Sequence, residues 1–362
     1  KIIDLDHDPR WPAIYSNAGS LLLNLGEVKK SIEANKIAIK FDEKNHTALV
    51  NLGIASSDLG DIAGSIEYYK RSLEIDPEHG EANYNLANIY RVTQNYKEAI
   101  KLYDKTDKRL SKSNQLECIY KDNNKELFNE KLNFLINNDQ LQPLIASLSS
   151  HSAIRYAQED KYPFCPNPMD FIYKFDLYQD DRFNDQFLFD LVSEINKAEI
   201  NKKSQSLLKN GFQSSGNIFL QNLPKITILR QIVQDCIESY YQKFEKEQIL
   251  LIKKWPKEYQ LIGWVIIMQN KGSLLPHMHK EGWVSGSLYL NMPANRSNDE
   301  GNIRFSLDGG DYPNDNKSYP EKIIDIKRGD LVMFPSSLFH STIPFESKEN
   351  RVSFAFDLIP KF

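Results

Sequence analysis

Apolar and small residues recur with a period of 34 positions over the first third of the chain. Four columns align when the sequence is shifted by this period: Asn17, Asn51 and Asn85; Gly19, Gly53 and Ala87; Ser31, Ser65 and Ala99; and Ile32, Ile66 and Ile100. The small residues stand where two antiparallel helices would have to touch. Because one such unit cannot bury its own apolar face, the pattern predicts helical hairpins that stack on one another.

This pattern resembles the tetratricopeptide repeat, a unit of a helix, a turn and a second helix. About three repeats cover residues 11–110, and we assign 1–110 to the repeat region, with an ordinary helical bundle as the alternative. The resemblance implies a solenoid whose concave groove commonly binds peptides, so a protein or peptide partner is expected there. The helical-looking residues 111–160 are expected to cap the solenoid.

A proline-rich segment ends the helical pattern. Three prolines fall within six residues of 161–170, which excludes continuous helix and predicts a linker. Beyond it, apolar residues at helical spacing predict amphipathic helices near 187–195 and 224–244. The period then becomes two, which predicts short strands at 261–269, 284–291, 302–307, 322–326, 330–334 and 351–358.

This order of elements predicts a multidomain chain. An all-α tetratricopeptide solenoid is followed, over residues 171–362, by a double-stranded β-helix domain of the jelly-roll, cupin-like kind, with buttressing helices. The remaining histidines, His7, His46, His79 and His151, are expected at the surface or in packing positions.

Composition excludes several classes of function. With 362 residues, 41% of them hydrophobic, the chain has ample material for packed cores. A net charge of −4 and the absence of a run of like charges argue against nucleic-acid binding, and the longest apolar run, 261–268, is too short to span a membrane. Three widely separated cysteines without a CxxC pair favour the cytoplasm. Because the first residue is Lys1, the chain is expected to be a fragment of a longer protein.

Three histidines of the second half could share a metal ion. His277 and His279 lie two residues apart, so in a strand both side chains point to one face, and His340 could arrive from a neighbouring strand. Imidazole suits Fe, Zn, Cu and Ni, and a facial set of three ligands with open positions is the arrangement of non-haem Fe(II) oxygenases. The histidines therefore predict a metal site, against the alternative that they merely line a polar face.

The last strand carries a candidate anion-binding residue. Alternation places Val352, Phe354, Phe356 and Leu358 on one face and Arg351, Ser353 and Asp357 on the other. If the apolar face packs in the core, the other face lines the barrel, and a buried guanidinium there needs an anion such as a carboxylate. The plainer interpretation is an ion pair of the arginine with Asp357 or Asp330.

Taken together, these stretches resemble the iron(II)/2-oxoglutarate-dependent dioxygenases, in the branch found fused behind tetratricopeptide repeats. The resemblance covers about residues 162–362. The matching stretches are Pro276-His-Met-His279, Gly282-Trp-Val-Ser-Gly-Ser-Leu-Tyr289, Gly301-Asn-Ile-Arg-Phe305, Gly329-Asp-Leu-Val-Met-Phe-Pro-Ser336, His340 and Arg351-Val-Ser-Phe-Ala-Phe.

The resemblance implies Fe(II) as cofactor and 2-oxoglutarate as cosubstrate. It implies that His277 and His340 bind iron and that Arg351 holds the distal carboxylate of 2-oxoglutarate, with Tyr289 and Ser353 as plausible helpers. The expected reaction couples oxidative decarboxylation of 2-oxoglutarate to hydroxylation of a substrate, which we expect to be a protein or peptide side chain. Loops 295–300 and 309–317 are expected to choose that substrate.

The third iron ligand has two candidates. The family uses His-x-Asp or His-x-Glu before the distal histidine; His279-Lys-Glu281 matches this pattern, whereas His277-Met-His279 places a third imidazole where the carboxylate is expected. We favour His279, because only three residues separate Glu281 from Ser285, the first residue of the Ser-Gly-Ser-Leu-Tyr stretch. Glu281 stays the alternative ligand to His279 or His277.

Two other functions are open at this point. The chain could be a non-catalytic scaffold whose metal is structural, with the three histidines and Glu281 as four closed ligands. It could also be a cupin-like dioxygenase that does not use 2-oxoglutarate, which would share the metal ligands but have no need of Arg351.

Overall fold

The structure, a computed structural model, describes residues 11–138, 141–197, 202–203, 205–294 and 296–361. The first ten residues of the predicted repeat region, His7 among them, and Asn295 of the loop 295–300 lie outside this part of the chain. The protein divides into two compact units, one up to Lys131 and the other from Leu132 onward. No helix in the described part is long and apolar enough to cross a membrane.

Consecutive antiparallel helices build the first unit, which confirms the predicted repeats. The helices are α1 (Trp11–Asn24), α2 (Val28–Phe41), α3 (His46–Asp58), α4 (Ile62–Ile75), α5 (Gly80–Val92), α6 (Tyr96–Tyr103), α7 (Ser111–Lys121) and α8 (Lys125–Asn137), the last of which runs across the division. The turns after α1 and α3 place Gly26 and Gly60 at φ values of 76° and 80°. Only glycine adopts this left-handed conformation without strain.

The small residues of the 34-residue period lie at the contact between the helices of each hairpin. The Ser31 hydroxyl donates to the Gly19 carbonyl at 2.8 Å, and one period later the Ser65 hydroxyl donates to the Gly53 carbonyl at 2.7 Å. A Cβ atom at Gly53 would come within 2.5 Å of the Tyr69 ring. The period therefore reflects close approach of two helix backbones.

In its described residues the second unit contains the end of α8, four further α-helices and the strands. The helices are α9 (Pro143–Tyr156), α10 (Asp185–Lys197), α11 (Pro224–Phe244) and α12 (Leu250–Lys253). Helices α10 and α11 correspond to the two predicted amphipathic helices. Helix α9, which falls in the predicted capping region 111–160, is part of the second unit, where Arg155 forms an ion pair with Asp315.

A curled antiparallel sheet of the jelly-roll kind forms the body of this unit, as predicted. The strands are β1 (Tyr173–Asp176), β2 (Lys202–Lys203), β3 (Leu208–Ser214), β4 (Tyr259–His277), β5 (Val284–Asn291), β6 (Ile303–Ser306), β7 (Glu321–Ile324), β8 (Asp330–Pro335), β9 (Phe339–Thr342) and β10 (Arg351–Pro360). Their order is β1-β8-β5-β10-β4-β9-β6-β7, with β3 also paired to β4 and β2 to β3.

Strand β4 joins the two halves of the sheet and thereby creates the site. Its first half, up to Met268, pairs with β10, and its last residues pair with β9, where His277 stands opposite His340. On β10 the predicted alternation holds. Phe354 packs edge-on against Phe219 on one side of the strand, and Arg351 faces the interior of the curled sheet on the other.

Candidate functional site

Three imidazoles meet inside the curled sheet. His277 ends β4, His279 lies in the turn that follows, and His340 lies on β9. The ring centroids are 4.3 Å apart for His277 and His340, 5.0 Å for His279 and His340, and 5.3 Å for His277 and His279. One nitrogen of each ring lies within 4.8 Å of the others, so a single metal ion could contact all three.

The other ring nitrogen of each histidine is already engaged. Nδ1 of His277 donates to the Leu275 carbonyl at 2.9 Å, and Nδ1 of His340 donates to the Leu338 carbonyl at 3.3 Å. Nδ1 of His279 donates to a carboxylate oxygen of Asp357 at 2.6 Å. Since carbonyl and carboxylate oxygens only accept, each neutral ring carries its proton on Nδ1 and its lone pair on Nε2. The three Nε2 atoms are thus prepared as ligands.

Burial keeps two of the imidazoles neutral. Loss of solvent, followed by the proximity of His279, lowers the pKa of His277 to about 4. Loss of solvent and the neighbouring histidines lower the pKa of His340 well below its ordinary value. A neutral imidazole is the form that binds a metal, so neither ring has to lose a proton at neutral pH.

Glu281, the alternative ligand, lies at the rim. Its side chain is exposed, and the group of metal-competent side chains found in the described residues consists of His277, His279 and His340. The backbone N–H of His279 donates to the Ser336 carbonyl at 3.1 Å, which turns the segment so that His279 points inward. The geometry therefore favours the three-histidine arrangement.

Arg351 lies buried, 2% exposed, in the same cavity. Its Nε donates to the Gly301 carbonyl at 2.9 Å, and the guanidinium carbon lies 4.9 Å from the centre of the Tyr289 ring. Desolvation lowers the pKa of this guanidinium. The ion pairs considered from sequence do not form, because Asp330 pairs with Lys174 and Asp357 with His279. In the described part of the chain no carboxylate neutralises this buried cation.

Tyr289 and Ser353 stand beside this cation. The Tyr289 hydroxyl is completely buried and makes no well-formed hydrogen bond among the described residues, and burial raises its pKa, so it stays a donor. Ser353 is buried on the same strand as Arg351 and lines the cavity, which has a volume of about 460 Å³. The guanidinium without a counter-ion and the Tyr289 hydroxyl beside it form a binding position that a carboxylate would complete.

The residues therefore fit a divalent metal together with an acidic small molecule. Three neutral nitrogens converge at one end of the cavity, and unneutralised positive charge lies further along it. A facial set of three protein ligands leaves coordination positions open for such a molecule.

Sequence reasoning missed the residues behind His279. Asp357, Ser285 and Ser336 form a hydrogen-bonded chain that ends on its Nδ1. The period-two pattern of β10 had placed Asp357 on the inward face, but as a partner for Arg351. Its real partner comes from a turn 78 residues earlier, which no local pattern indicates.

The fold and site define a helical-repeat unit joined to a jelly-roll unit with a three-histidine cluster. Family models identify both parts: the tetratricopeptide-repeat model matches residues 58–115, and the model described as "Putative 2OG-Fe(II) oxygenase" matches residues 263–357. The chain thus carries a region that matches the tetratricopeptide repeat and a region that matches the "Putative 2OG-Fe(II) oxygenase" domain, and the second match contains all three clustered histidines and Arg351. No curated protein matches the chain significantly.

Solved structures resemble parts of the chain. A tetratricopeptide repeat protein from Parabacteroides merdae is 21% identical over 40% of this chain and 59% of its own, with a TM-score of 0.35; this chain thus spans less than two thirds of that protein. A Pseudomonas putida prolyl-4-hydroxylase is 13% identical over 59% of this chain and 100% of its own, with a TM-score of 0.38. HygX from Streptomyces hygroscopicus, crystallised with nickel and 2-oxoglutarate bound, is 12% identical over 53% of this chain and 83% of its own, with a TM-score of 0.37. Likenesses this weak say nothing about substrate or cofactor.

Proposed function

We propose that this protein is an Fe(II)- and 2-oxoglutarate-dependent dioxygenase that hydroxylates a protein or peptide. His277, His279 and His340 hold the iron, and Arg351, assisted by Tyr289 and Ser353, holds the distal carboxylate of 2-oxoglutarate. The observation that carries the proposal is the buried, unneutralised guanidinium in the same cavity as three convergent imidazoles.

Each protein group has a definite task in this proposal. Bound iron would supply the oxidising chemistry, with O2 as the oxidant: one oxygen atom would enter 2-oxoglutarate, which becomes succinate and carbon dioxide, and the other would become the new hydroxyl of the substrate. Arg351 binds and orients the cosubstrate through two parallel hydrogen bonds, and Tyr289 donates a third to the same carboxylate. The apolar side chains Ile266, Met268 and Phe334 line the cavity and limit the access of water.

The two alternatives account for less of the site. A closed structural metal site would need a fourth protein ligand, and Glu281, its candidate, is exposed. A dioxygenase without 2-oxoglutarate would have no use for an uncompensated buried cation, whose burial costs free energy unless an anion joins it.

We propose the repeat region, residues 1–110, as the element that binds the protein substrate, with α7 and α8 of the region 111–160 as its cap. Residues 161–170 are the linker, and 171–362, together with α9, form the catalytic unit. Solenoids of this kind present extended concave surfaces to other chains. In the first unit the residues Ser20, Val50, Asn51 and Ile54 line a cavity of about 280 Å³ with polar and apolar side chains. We further propose a cytoplasmic location, which the three buried cysteines support.

Anaerobic titration with Fe(II) and then with 2-oxoglutarate tests the function. Chelation of iron by 2-oxoglutarate should produce a weak visible charge-transfer band in the wild type, and His340→Ala should abolish it. Arg351→Met should keep iron binding but weaken 2-oxoglutarate binding by at least about 10- to 150-fold, the value of one hydrogen bond to a charged group. Iron binding without any band would overturn the assignment in favour of a dioxygenase that does not use 2-oxoglutarate.

A further inference from the structure

We infer that Asp357 is the positioning residue of the metal site: it holds His279 in the metal-binding tautomer and supplies the negative charge that three histidines lack. The inference rests on the proposed function, because it concerns the same metal ion. It assigns a role to a residue outside the predicted ligand set.

The contact between the two side chains is short and shielded. The distance from Nδ1 of His279 to Oδ1 of Asp357 is 2.6 Å, and the two side chains are 14% and 13% exposed. At this distance, and with little water nearby, an N–H···O hydrogen bond to a carboxylate is of the strong, charge-assisted kind. No Lys or Arg in the described ranges pairs with Asp357, so the titratable side chain that its charge faces there is His279.

The surroundings hold this carboxylate in place. The hydroxyl of Ser285, opposite Asp357 on the neighbouring strand, donates to the same oxygen at 2.6 Å and lies 2.7 Å from the Ser336 hydroxyl. A Cβ atom at Gly282 would lie 2.6 Å from the Ser336 hydroxyl and 3.2 Å from the Asp357 carboxyl carbon. Only glycine lets the turn that carries His279 close over this pair.

The three histidines differ in the charge behind them. His277 and His340 donate to backbone carbonyls, which orient a ring but carry no net charge. A divalent ion held by three neutral imidazoles keeps its full charge, whereas a site of two histidines and one carboxylate cancels part of it. Asp357 supplies the missing negative charge from behind His279. A carboxylate that accepts from Nδ1 makes the imidazole a more basic ligand, so part of the positive charge of the metal ion is cancelled.

Metal affinity of the whole protein tests the inference without turnover. Cobalt(II) is the probe, followed by its absorption under competition with a chelator. We expect Asp357→Asn to bind Co(II) about 10- to 100-fold more weakly than wild type. Asp330→Asn is the matched control, since Asp330 is a buried carboxylate in the same sheet that pairs with Lys174, and it should bind Co(II) as wild type does.

A second measurement separates positioning from mere structural support. Long-range ¹H–¹⁵N spectra of the metal-free protein report which imidazole nitrogen carries the proton, and the wild type should show His279 protonated at Nδ1. In Asp357→Asn the amide group can donate to Nδ1 and move the proton to Nε2, where it blocks the metal. A variant that only loosened the fold would shift the melting temperature without selecting this tautomer.

The outcomes are distinguishable from those for the proposed function. If the wild type and Asp357→Asn bind Co(II) equally while His279→Ala loses binding, the role of Asp357 is overturned and the metal site stands. If the wild type does not bind Co(II), or if His277→Ala and His340→Ala bind it unchanged, the metal site itself is overturned and this inference with it.

Discussion

Arg351 shows how burial turns a common side chain into a binding group. A surface arginine finds water or a carboxylate, but this guanidinium is enclosed by a carbonyl, a methionine sulfur and the face of Tyr289. Its positive charge is left for a ligand to neutralise. The free energy that this burial costs is recovered when an anion binds.

Tyr289 offers a prediction at the same scale. Because its buried hydroxyl lacks a well-formed hydrogen bond, Tyr289→Phe should leave the metal-free protein as stable as wild type or slightly more stable. The same change should weaken 2-oxoglutarate binding about 10- to 150-fold, the value of one hydrogen bond to a charged group. Thermal melts and calorimetric titration with Co(II) present measure the two effects. A marked loss of stability with unchanged affinity would contradict the role of this hydroxyl.

The helical hairpins depend on close contact between paired elements. Gly53→Ala in α3 places a Cβ atom against the Tyr69 ring of α4, so we expect a destabilisation of about 1–3 kcal/mol by overpacking. Gly80→Ala in α5 is the control, because its Cβ atom would meet nothing nearer than 3.8 Å. The control should gain about 0.4–1 kcal/mol, since alanine restricts the unfolded chain. Urea unfolding measures both, and equal effects would contradict the packing explanation.

Helix α9 is tied to the loop between β6 and β7 by a buried histidine. His151 is fully buried, with its Nε2 at 3.2 Å from Asp308 and its ring stacked on Tyr319, and Arg155 on the same helix pairs with Asp315 of the loop. Desolvation outweighs the nearby carboxylates and lowers the pKa of His151 to about 4. The loop 309–317, expected from sequence to choose the substrate, thus has a fixed attachment to a helix.

This histidine predicts a pH dependence of stability. In the unfolded chain its pKa is about 6.5, so between pH 6.5 and about 4 the unfolded state binds more protons than the folded state. The contribution of neutral His151 to the free energy of unfolding is therefore complete above pH 6.5 and is lost as the pH falls toward 4. The free energy of unfolding changes by up to about 1.4 kcal/mol per pH unit in this range. His151→Asn should flatten the profile of unfolding free energy against pH. An unchanged slope in that variant would assign the acid sensitivity to other groups.

At the scale of the whole molecule, the proposed metal ion and 2-oxoglutarate contact only one of the two units. All proposed ligand residues, from His277 to Ser353, lie in the unit that begins at Leu132. Metal and 2-oxoglutarate, each at about 100 times its dissociation constant, should each stabilise that unit by about 2.7 kcal/mol. Hydrogen exchange should then slow in β4, β9 and β10, with no change in α1–α7, and a chelator should reverse the effect. Slower exchange in the repeat helices would contradict this confinement.

Local patterns in the sequence determined the two architectures. The 34-residue period predicted the helical hairpins because small residues are needed wherever two helix backbones approach. The period of two predicted most strands and the inward face of β10, because alternation follows from the pleat of a single strand. The predicted runs did not include β1, β2, β3 or β9, although a strand was expected to carry His340. The four residues of β9 are buried except Ser341, so they show no alternation.

Only the tertiary structure decided which side chains of the site contact one another. It placed His277 opposite His340, 63 residues later, and paired His279 with Asp357, 78 residues later. It left Glu281 exposed. It also left Arg351 without a carboxylate and placed α9 with the second unit. Such pairings depend on the register of strands distant in sequence and on which side chains are shielded from water. A one-dimensional pattern records which face a residue occupies, whereas its partner is set by the folding of the sheet.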